Sequence, residues 1–444
     1  MSSDTDSDII RATPAPRPKH VCPHKTAVAG DQHDRNSPFP MISVDEALKK
    51  IFANIKKLSE PIDVRSPMDC PSFRASIKDG YAIKAGSTSM QRKVIGNISA
   101  GDKVVRIDFA VDECYKINTG APLPEFADAI VQVEDTKLIE KNDDGTERLI
   151  ELLQLPKAGL DIREIGSDVS NGELLFQTNG LMDVAEKTIL ASLGFSVFQT
   201  KPRIAVLSTG NELVSPAIGE LEEGQIYDSN STMLVLLLQK YGFEVTHQEI
   251  AKDDYQSLKE VVEEASRCDV IISSGGVSMG DKDFVKPLMT ELGYKIHFGR
   301  VNMKPGKPMT FASNGQTSYF ALPGNPVSAF VCFHLFVLPA LRYMSGFPDA
   351  KCKLPIINVT LQVEKYLLDS RPEYARAKIC YNLSDGLYYA DMPENQMSSR
   401  LLSLIDADVL LHLPGGTKET STANRGDKLI ATVINHHFIS EFKN

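Results

Sequence analysis

The stretch Ile204-Ala-Val-Leu-Ser-Thr-Gly-Asn-Glu212 is a short apolar run that ends abruptly in small polar residues. The pattern returns at Val270-Ile-Ile-Ser-Ser-Gly-Gly-Val-Ser-Met-Gly280 and at Tyr319-Phe-Ala-Leu-Pro-Gly-Asn-Pro-Val-Ser328. Apolar runs this short, without strict alternation, read as strands covered on both faces. Between 201 and 346 they alternate with helical patterns: further runs at Glu244–Glu249 and Lys295–His297, and helices over Ser231–Tyr241, Tyr255–Ser266, Phe284–Leu292 and Pro326–Met344, the last kinked at Pro339. Such βαβα alternation predicts a doubly wound, mostly parallel sheet.

In that fold ligands sit beyond the carboxyl ends of the strands, where strand order reverses. Three loops rich in Gly, Ser, Thr and Asn fall there, and their N–H groups and hydroxyls are the parts of a phosphate cradle. The residues concerned are Ser208, Thr209 and Gly210; Gly275, Gly276 and Ser278; and Pro323, Gly324, Asn325, Pro326 and Ser328, with Pro326 placed to open a helix. None of the three loops matches a dinucleotide fingerprint or a Walker loop. Met303-Lys-Pro-Gly-Lys-Pro308 sets Lys304 and Lys307 on either side of a Pro-Gly turn, where both could reach one oxyanion. Glu212, Asp253, Asp254, Asp281 and Asp283 lie near the same loops, and acids beside a phosphate site suit a divalent cation. For Asp254 and Asp281 helix capping is the preferred reading.

Outside this region the signals are different. Residues 1–36 are polar and carry Pro14, Pro16 and Pro18, which reads as a disordered tail, and His20-x-Cys22-x-His24 within it lacks a closing ligand set. Ser43-Val-Asp-Glu46 is a capping box opening a helix through Leu58. From Pro61 to Lys157 the runs are β-like (Lys93–Ile98, Val104–Ile107, Glu113–Asn118, Ala129–Val133), with a hairpin turn at Asn142-Asp-Asp-Gly145, and a helix follows over Val184–Leu193. Beyond Pro348 come Ile356–Val363, Ala375–Tyr381, Val409–Leu413 and Lys428–Val433, a small all-β domain.

Composition narrows the class further. With 444 residues, 42% hydrophobic and 24% charged, the chain is long enough for about three globular domains. A net charge of −10 gives no general attraction to nucleic acid, so an anion site must be built locally. Seven scattered cysteines suit reduced thiols, no apolar run approaches the roughly 18 residues of a membrane span, and the N-terminus has no signal-peptide pattern; a cytoplasmic protein without a transmembrane segment is expected. No His or Cys spacing suggests covalent nucleophilic catalysis.

Lys78-Asp-Gly-Tyr-Ala82, Asn118-Thr-Gly-Ala-Pro122, Val131-Gln-Val-Glu134, Ser208-Thr-Gly-Asn-Glu-Leu213, Ser273-Ser-Gly-Gly-Val-Ser278, Met303-Lys-Pro-Gly-Lys-Pro308 and Leu322-Pro-Gly-Asn-Pro-Val-Ser328 occur in this order. Together they resemble the molybdenum insertase family, which comprises bacterial and plant molybdopterin molybdenumtransferases and the C-terminal domain of gephyrin. The resemblance runs from Ser37 to the C-terminus, and Arg371-Pro-Glu-Tyr374 and Asn395-Gln-Met-Ser-Ser-Arg400 look closest to the gephyrin branch.

The resemblance implies an elongated homodimer of subunits with an N-terminal helical and linker domain (37–66 and 158–200), a β lobe (67–157), a molybdopterin-binding α/β domain (201–347) and a C-terminal β domain (348–444). It implies an active site between the α/β domain of one subunit and the β lobe of the other. Molybdate and adenylylated molybdopterin would be the substrates, Mg2+ the cation, and molybdenum cofactor and AMP the products. By motif position Asp79, Glu212, Asp253 and Asp283 would be catalytic, Asp253 and Asp283 holding the metal. Thr119, Glu134, Lys304, Lys307, Pro323, Pro326, Ser328, Arg371 and Ser398 would join the loops in binding substrate. The implied partners are a separate molybdopterin adenylyltransferase that supplies the substrate and molybdoenzymes that receive the cofactor. A gephyrin-like receptor-anchoring scaffold with a vestigial site is the alternative, although Leu48 stands where that surface uses an aromatic residue. A phosphohydrolase using the same loops on another nucleotide-linked substrate is a third reading.

Overall fold

The computed structural model describes residues 39–58, 62–178, 182–195, 201–217, 220–277 and 284–435. The tail and its His-Cys-His cluster lie outside them, as do Ser278, Asp281 and Asp283. The chain forms two compact units, residues 1–58 with 201–444, and residues 59–200.

In the first unit the apolar runs Ile204–Thr209, Val270–Ser274 and Ser318–Leu322 are strands buried along their whole length. They pair in parallel, Ala205 opposite Ile271 and Ile271 opposite Tyr319. Val245–Ala251 adds a fourth parallel strand at the edge beside Ile204–Thr209, and its partial exposure explains its polar alternation. On the other side the sheet turns antiparallel through Thr310–Ser313 and then Lys295–Phe298, giving six strands. The mostly parallel sheet is therefore mixed at one edge. Thr310–Ser313 is the strand the sequence hides, because it is only four residues long and joins Ser318–Leu322 through a turn in which Thr317 N–H donates to Asn314 Oδ1 (2.7 Å).

Helices flank this sheet. Ala205, Leu207, Ile271, Tyr319 and Ala321 alternate along their strands and pack against Leu258, Val261 and Val262 of Tyr255–Ala265 and Leu288 and Met289 of Val285–Glu291. Asp254 caps the first of these helices, accepting from Ser257 N–H at 2.8 Å, as its position suggests. The long apolar segment runs as an α-helix over Pro326–Cys332, a π-helical turn over Phe333–Val337 and a second α-helix over Leu338–Met344. The distortion expected at Pro339 thus falls in the turn before it, where the missing proline N–H leaves the preceding carbonyls free to repartner. By length and composition this segment could cross a membrane, but 83% of it is buried inside the protein.

The helix opened by Ser43 ends at Asn54, four residues short of expectation, because the chain extends so that Leu58 N–H can donate to Met344 O (2.8 Å). It also belongs with the first unit and not with residues 158–200. Leu48 and Ile51 are buried, Phe52 stacks on Tyr343 at 5.0 Å, and Ile42 bridges to Val301. The C-terminal β domain of this unit is a closed five-stranded barrel of Ile356–Leu361, Leu387–Asp391, Glu373–Asn382, Val409–Leu413 and Lys428–Val433 in spatial order.

The second unit holds a six-stranded sheet ordered Ala129–Gln132, Gly80–Ile83, Glu113–Ile117, Gln91–Ile98, Glu147–Leu152, Thr136–Lys141. The turn at Asn142–Gly145 joins the last two, with Gly145 N–H bonded to Asn142 O at 2.9 Å. Val104–Ile107, read as a strand, is irregular; Ile107 is 72% exposed, and among the described residues no strand pairs with the segment, which is held by one backbone bond from Glu125 N–H to Val105 O (3.0 Å). Two two-stranded ribbons (Ile62–Arg65 with Leu174–Thr178, and Ala75–Ser76 with Ile162–Arg163) and the helix Val184–Ser192, opened by an Asp183–Glu186 capping box, also belong to this unit.

His334, inside the π-helical turn, gives the fold a pH signature. It is 1% exposed, its Nδ1 bonds Phe330 O at 2.8 Å, and aromatic rings of Tyr241, Phe330 and Phe333 surround it. Burial pushes its pKa down to about 3, so the folded state keeps it neutral while the unfolded chain protonates it below about 6.5. The unfolded state then binds more protons, and stability falls as pH drops from 6.5 towards 5, by at most about 1.4 kcal/mol per pH unit for this group. His412, pushed down to about 4 by burial, adds to the same slope. Urea unfolding of His334→Phe across that window should show a flatter acid limb than wild type; an unchanged slope would mean that His334 is not buried neutral.

Candidate active site

Ile204–Thr209 lies between Val245–Ala251 on one side and Val270–Ser274 on the other, and the chain visits them in opposite directions. That reversal splays the loops after the two central strands and opens a crevice at their carboxyl ends. A cleft of about 880 Å³ occupies it. Thr209, Glu212, Asp253, Gly275, Gly276, Pro323, Gly324, Asn325 and Pro326 all line this cleft, so the three loops do converge.

Its floor is tightly specified. Ser208 and Ser274 join adjacent strands by a 3.2 Å hydroxyl–hydroxyl bond with both residues buried. Gly275 has φ +95°, and a Cβ there would sit 2.7 Å from both Thr209 O and Thr209 Oγ1. At Gly276, φ +63°, a Cβ would come within 2.8 Å of Val285. Both positions need glycine for conformation and for space. Asp253 N–H donates to Asn211 Oδ1 at 3.0 Å, tying the loop after Val245–Ala251 to the loop bearing Gly210 and Glu212. Asn325 caps the helix at Pro326, its Nδ2 donates to Ser398 Oγ (3.0 Å), and Val327 N–H donates to Ser398 O (3.0 Å). Ser398 is thus brought to the third loop from the barrel domain, and Ser328 lies buried just behind it.

Six residues of this wall lie outside every motif and candidate residue singled out in the sequence: Ile226, Tyr227, Asp228, Ser229, Asn230 and Leu401. Asp228 could have been found. It precedes Ser229-Asn-Ser231 and caps the helix Ser229–Lys240, which the sequence reading starts two residues late. Buried oxygens without a protein partner cluster here, namely Thr209 Oγ1, Asp228 Oδ2 and Asn230 Oδ1. Among the described residues no three His, Cys, Asp or Glu side chains form a metal-binding group.

Lys304 and Arg371 are placed differently from expectation. Neither lines the cleft. Lys304 Nζ binds Glu373 Oε2 at 3.1 Å and Asp369 Oδ2 at 3.6 Å, and Arg371 grips Asp369 with Nε (3.0 Å) and Nη2 (3.2 Å). The backbone of Lys304 is also held, its N–H by Pro372 O and its carbonyl by Tyr374 N–H. Glu373 is 1% exposed and takes a second bond from Tyr366 OH (3.1 Å), whose own pKa is raised by burial and by the Glu373 charge. Lys304, expected with Lys307 to reach an oxyanion, thus pairs with barrel carboxylates. Lys307 sits half-buried three residues on, and Pro308 reaches the cleft.

The second unit gathers its own motif residues. Asp79 Oδ1 accepts from Thr119 N–H at 2.7 Å, a bond that holds the Asp79 carboxyl below its usual pKa, and Asp79 O accepts from Val133 N–H, next to Glu134. All three side chains are exposed. Gly80 allows this approach, since a Cβ there would lie 2.0 Å from Val131 O.

A doubly wound domain with three small-residue loops and carboxylates around a switch-point cleft defines an α/β protein with a ligand-type cleft at the carboxyl ends of its strands. Residues 205–343 match a family described as a probable molybdopterin binding domain, 42–194 the MoeA N-terminal region (domains I and II), and 364–428 the MoeA C-terminal region (domain IV). The chain is 46% identical over 448 aligned residues to the molybdenum cofactor synthesis protein cinnamon of Drosophila melanogaster, an alignment covering 99% of this chain and 74% of that protein. It is 32% identical to the molybdopterin molybdenumtransferase of a Nostoc species, over 88% of this chain and 94% of that one. A molybdopterin biosynthesis MoeA protein from Pyrococcus horikoshii superposes with a TM-score of 0.68 at 28% identity, covering 89% of this chain and all of that one. The chain belongs to the MoeA family of molybdenum cofactor synthesis proteins.

The ion pairs at Lys304 yield a direct test. Lys304→Ala leaves the buried Glu373 carboxylate with the Tyr366 hydroxyl and the charge of buried Arg376 but no direct ion pair, which should lower unfolding free energy by about 2 kcal/mol. In Glu373→Gln the same lysine change should cost far less. A double-mutant cycle by chemical denaturation measures the difference, and equal costs in both backgrounds would show the pair to be uncoupled.

Proposed function

We propose that this chain is a molybdopterin molybdenumtransferase, which inserts molybdate into adenylylated molybdopterin and cleaves its pyrophosphate bond, releasing molybdenum cofactor and AMP. The observation that carries this reading is the convergence of three phosphate-type loops and the carboxylates of Glu212 and Asp253 on one cleft in a chain of the MoeA family. The Gly276 N–H and the dipole of the helix opening at Pro326 would orient the phosphates without a net positive charge, the Gly275 and Val327 N–H groups being bonded to Leu322 O and Ser398 O. Glu212 and Asp253 come from neighbouring loops tied by the Asn211 bond and are hard oxygen donors. Two carboxylates completed by phosphate oxygens and water suit Mg2+, which would neutralise charge at the scissile phosphates. Asp283 and Ser278 join them on the family resemblance.

Molybdate, as substrate, is assigned to Lys304, Lys307, Arg371 and Ser398. Asp369 and Glu373 hold Lys304, and Asp369 holds Arg371, so the oxyanion would compete with carboxylates already in place. Asp79, Thr119 and Glu134 would act from the lobe of a second copy in a homodimer. A molybdopterin adenylyltransferase would supply the substrate and molybdoenzymes would receive the product, in the cytoplasm.

Glu212→Gln and Asp253→Asn test the assignment. Each should lower AMP release from adenylylated molybdopterin roughly a hundredfold, as loss of one electrostatic stabiliser does. Binding of the unreacted conjugate should change much less, since the loops that hold the phosphates are untouched. Full turnover by both variants at saturating Mg2+ would remove the cleft carboxylates from the chemistry and the enzyme reading with them.

A further inference from the structure

The cleft wall around Asp228 has a chemistry that phosphate binding does not use. Asp228 is 1% exposed and lines the cleft. Its Oδ1 caps the following helix, accepting from Asn230 N–H at 3.1 Å and Ser231 N–H at 3.0 Å. Its Oδ2 is buried and has no protein partner. A buried carboxylate oxygen left in that state is costly, and its natural complement is a donor brought by the ligand. Asn230, also on this wall, spends its Nδ2 on Gly324 O at 2.8 Å and leaves Oδ1 buried without a partner. Both residues line the cleft, each keeps a buried acceptor without a protein partner, and one of the two amide N–H groups of Asn230 is already used. Beside them Leu213, Ile226, Tyr227 and Leu401 supply apolar surface.

We propose that Asp228 and Asn230, whose unpartnered atoms are both acceptors, form a subsite that takes the donor edge of a 2-amino-4-oxo heterocycle, the pterin end of the ligand, with the apolar side chains covering the ring faces. The argument turns on hydrogen-bond polarity. The pyrimidinone edge of a pterin presents a ring N–H beside an exocyclic amino group, two adjacent donors that match two acceptors. Adenine presents its amino group next to a ring nitrogen acceptor, which would oppose one of the two protein oxygens. A site with unpaired acceptors rejects the mismatched edge strongly, because one polar atom on each side stays unsatisfied. The subsite thus sets which end of a two-ended ligand lies on this wall, and leaves the adenylate to the phosphate loops and beyond. It rests on the reading of the ligand as a molybdopterin conjugate.

Asp228→Asn is the probe. Asn caps helices as well as Asp does, so Oδ1 keeps its two N–H bonds, and the amide nitrogen then stands where Oδ2 was. A donor now faces the ligand's donors. Calorimetric titration of the full chain with 6-hydroxymethylpterin and, separately, with AMP should show pterin affinity roughly tenfold to a hundredfold weaker and AMP affinity nearly unchanged. Asp228→Ser, which caps the helix and removes Oδ2 outright, should lose pterin in the same way and guards against a folding defect in the first variant. Equal pterin binding by wild type and both variants overturns the subsite while the functional reading stands. Loss of AMP binding instead assigns the wall to the adenylate, and loss of Mg2+ binding measured without pterin makes Asp228 a cation ligand; either overturns the proposal. A wild-type protein that binds no pterin sinks the functional reading, and the subsite with it.

Discussion

The position of the cleft depends on how one strand is paired. Ile204–Thr209 is fully buried and hydrogen-bonded in parallel on both sides, to Val245–Ala251 and to Val270–Ser274. Parallel neighbours need crossover helices, and these crossovers leave the central strand on opposite sides. The loops that follow must diverge, and the ladder continues only into their first residues, Gly210 N–H to Ala251 O (3.2 Å) and Gly275 N–H to Leu322 O (3.1 Å). Ser208 and Ser274 seal the floor, and Gly275 lies so close to Thr209 that no side chain fits between them. Pairing, divergence and small residues are thus one constraint seen at three levels.

Charge then decides what the cleft can hold. A chain of net charge −10 repels a pyrophosphate at long range. Glu212, Asp253 and Asp228 on the cleft wall make the local field more negative. Lys304 and Arg371 do not offset it there, since both are committed to Asp369 and Lys304 also to Glu373. On the proposed function, backbone dipoles and a co-bound cation would attract the phosphates, while the carboxylate wall would favour a ligand region rich in N–H donors. A conjugate with phosphates at its middle and a donor-edged ring at one end satisfies both.

Much of this was legible in the sequence, for a definite reason. Strands buried on both faces read as apolar runs, so Ile204–Thr209, Val270–Ser274 and Ser318–Leu322 stand out, and the small residues after them mark the loops. What stayed hidden depends on contacts distant in sequence. Glu373 lies 69 residues from the lysine it neutralises, so Lys304 looked free. The helix at Val44–Asn54 looked like a neighbour of residues 158–200 until Phe52 and Ile42 showed where its apolar face packs. Val104–Ile107 has strand composition, but among the described residues no strand pairs with it. Asp228 was passed over because a cap that also serves a site looks like an ordinary cap.

The outer wall of the cleft shows how a site can span two domains of one unit and still be rigid. Ser398, Ser399 and Leu401 belong to the segment between barrel strands, where a surface loop would usually be mobile. Here the segment is pinned from within. Arg376, fully buried in the barrel, donates through Nε to Ser403 Oγ at 3.2 Å, and its backbone is bracketed by Gln396, which accepts at 3.0 Å and donates at 2.9 Å. Burial lowers the Arg376 pKa to about 10, which still leaves it charged at neutral pH and in need of these acceptors. From the other side Ser398 is held by Asn325 Nδ2 and Val327 N–H at the start of the helix. The Lys304 pairs add a second tie between the barrel and the turn that carries Pro308 to the cleft. Ligand-contacting groups fixed in this way lose little freedom on binding, so contact energy is retained for selecting between ligand ends. The barrel is therefore part of the site's geometry, and its buried charges serve to hold a wall in place.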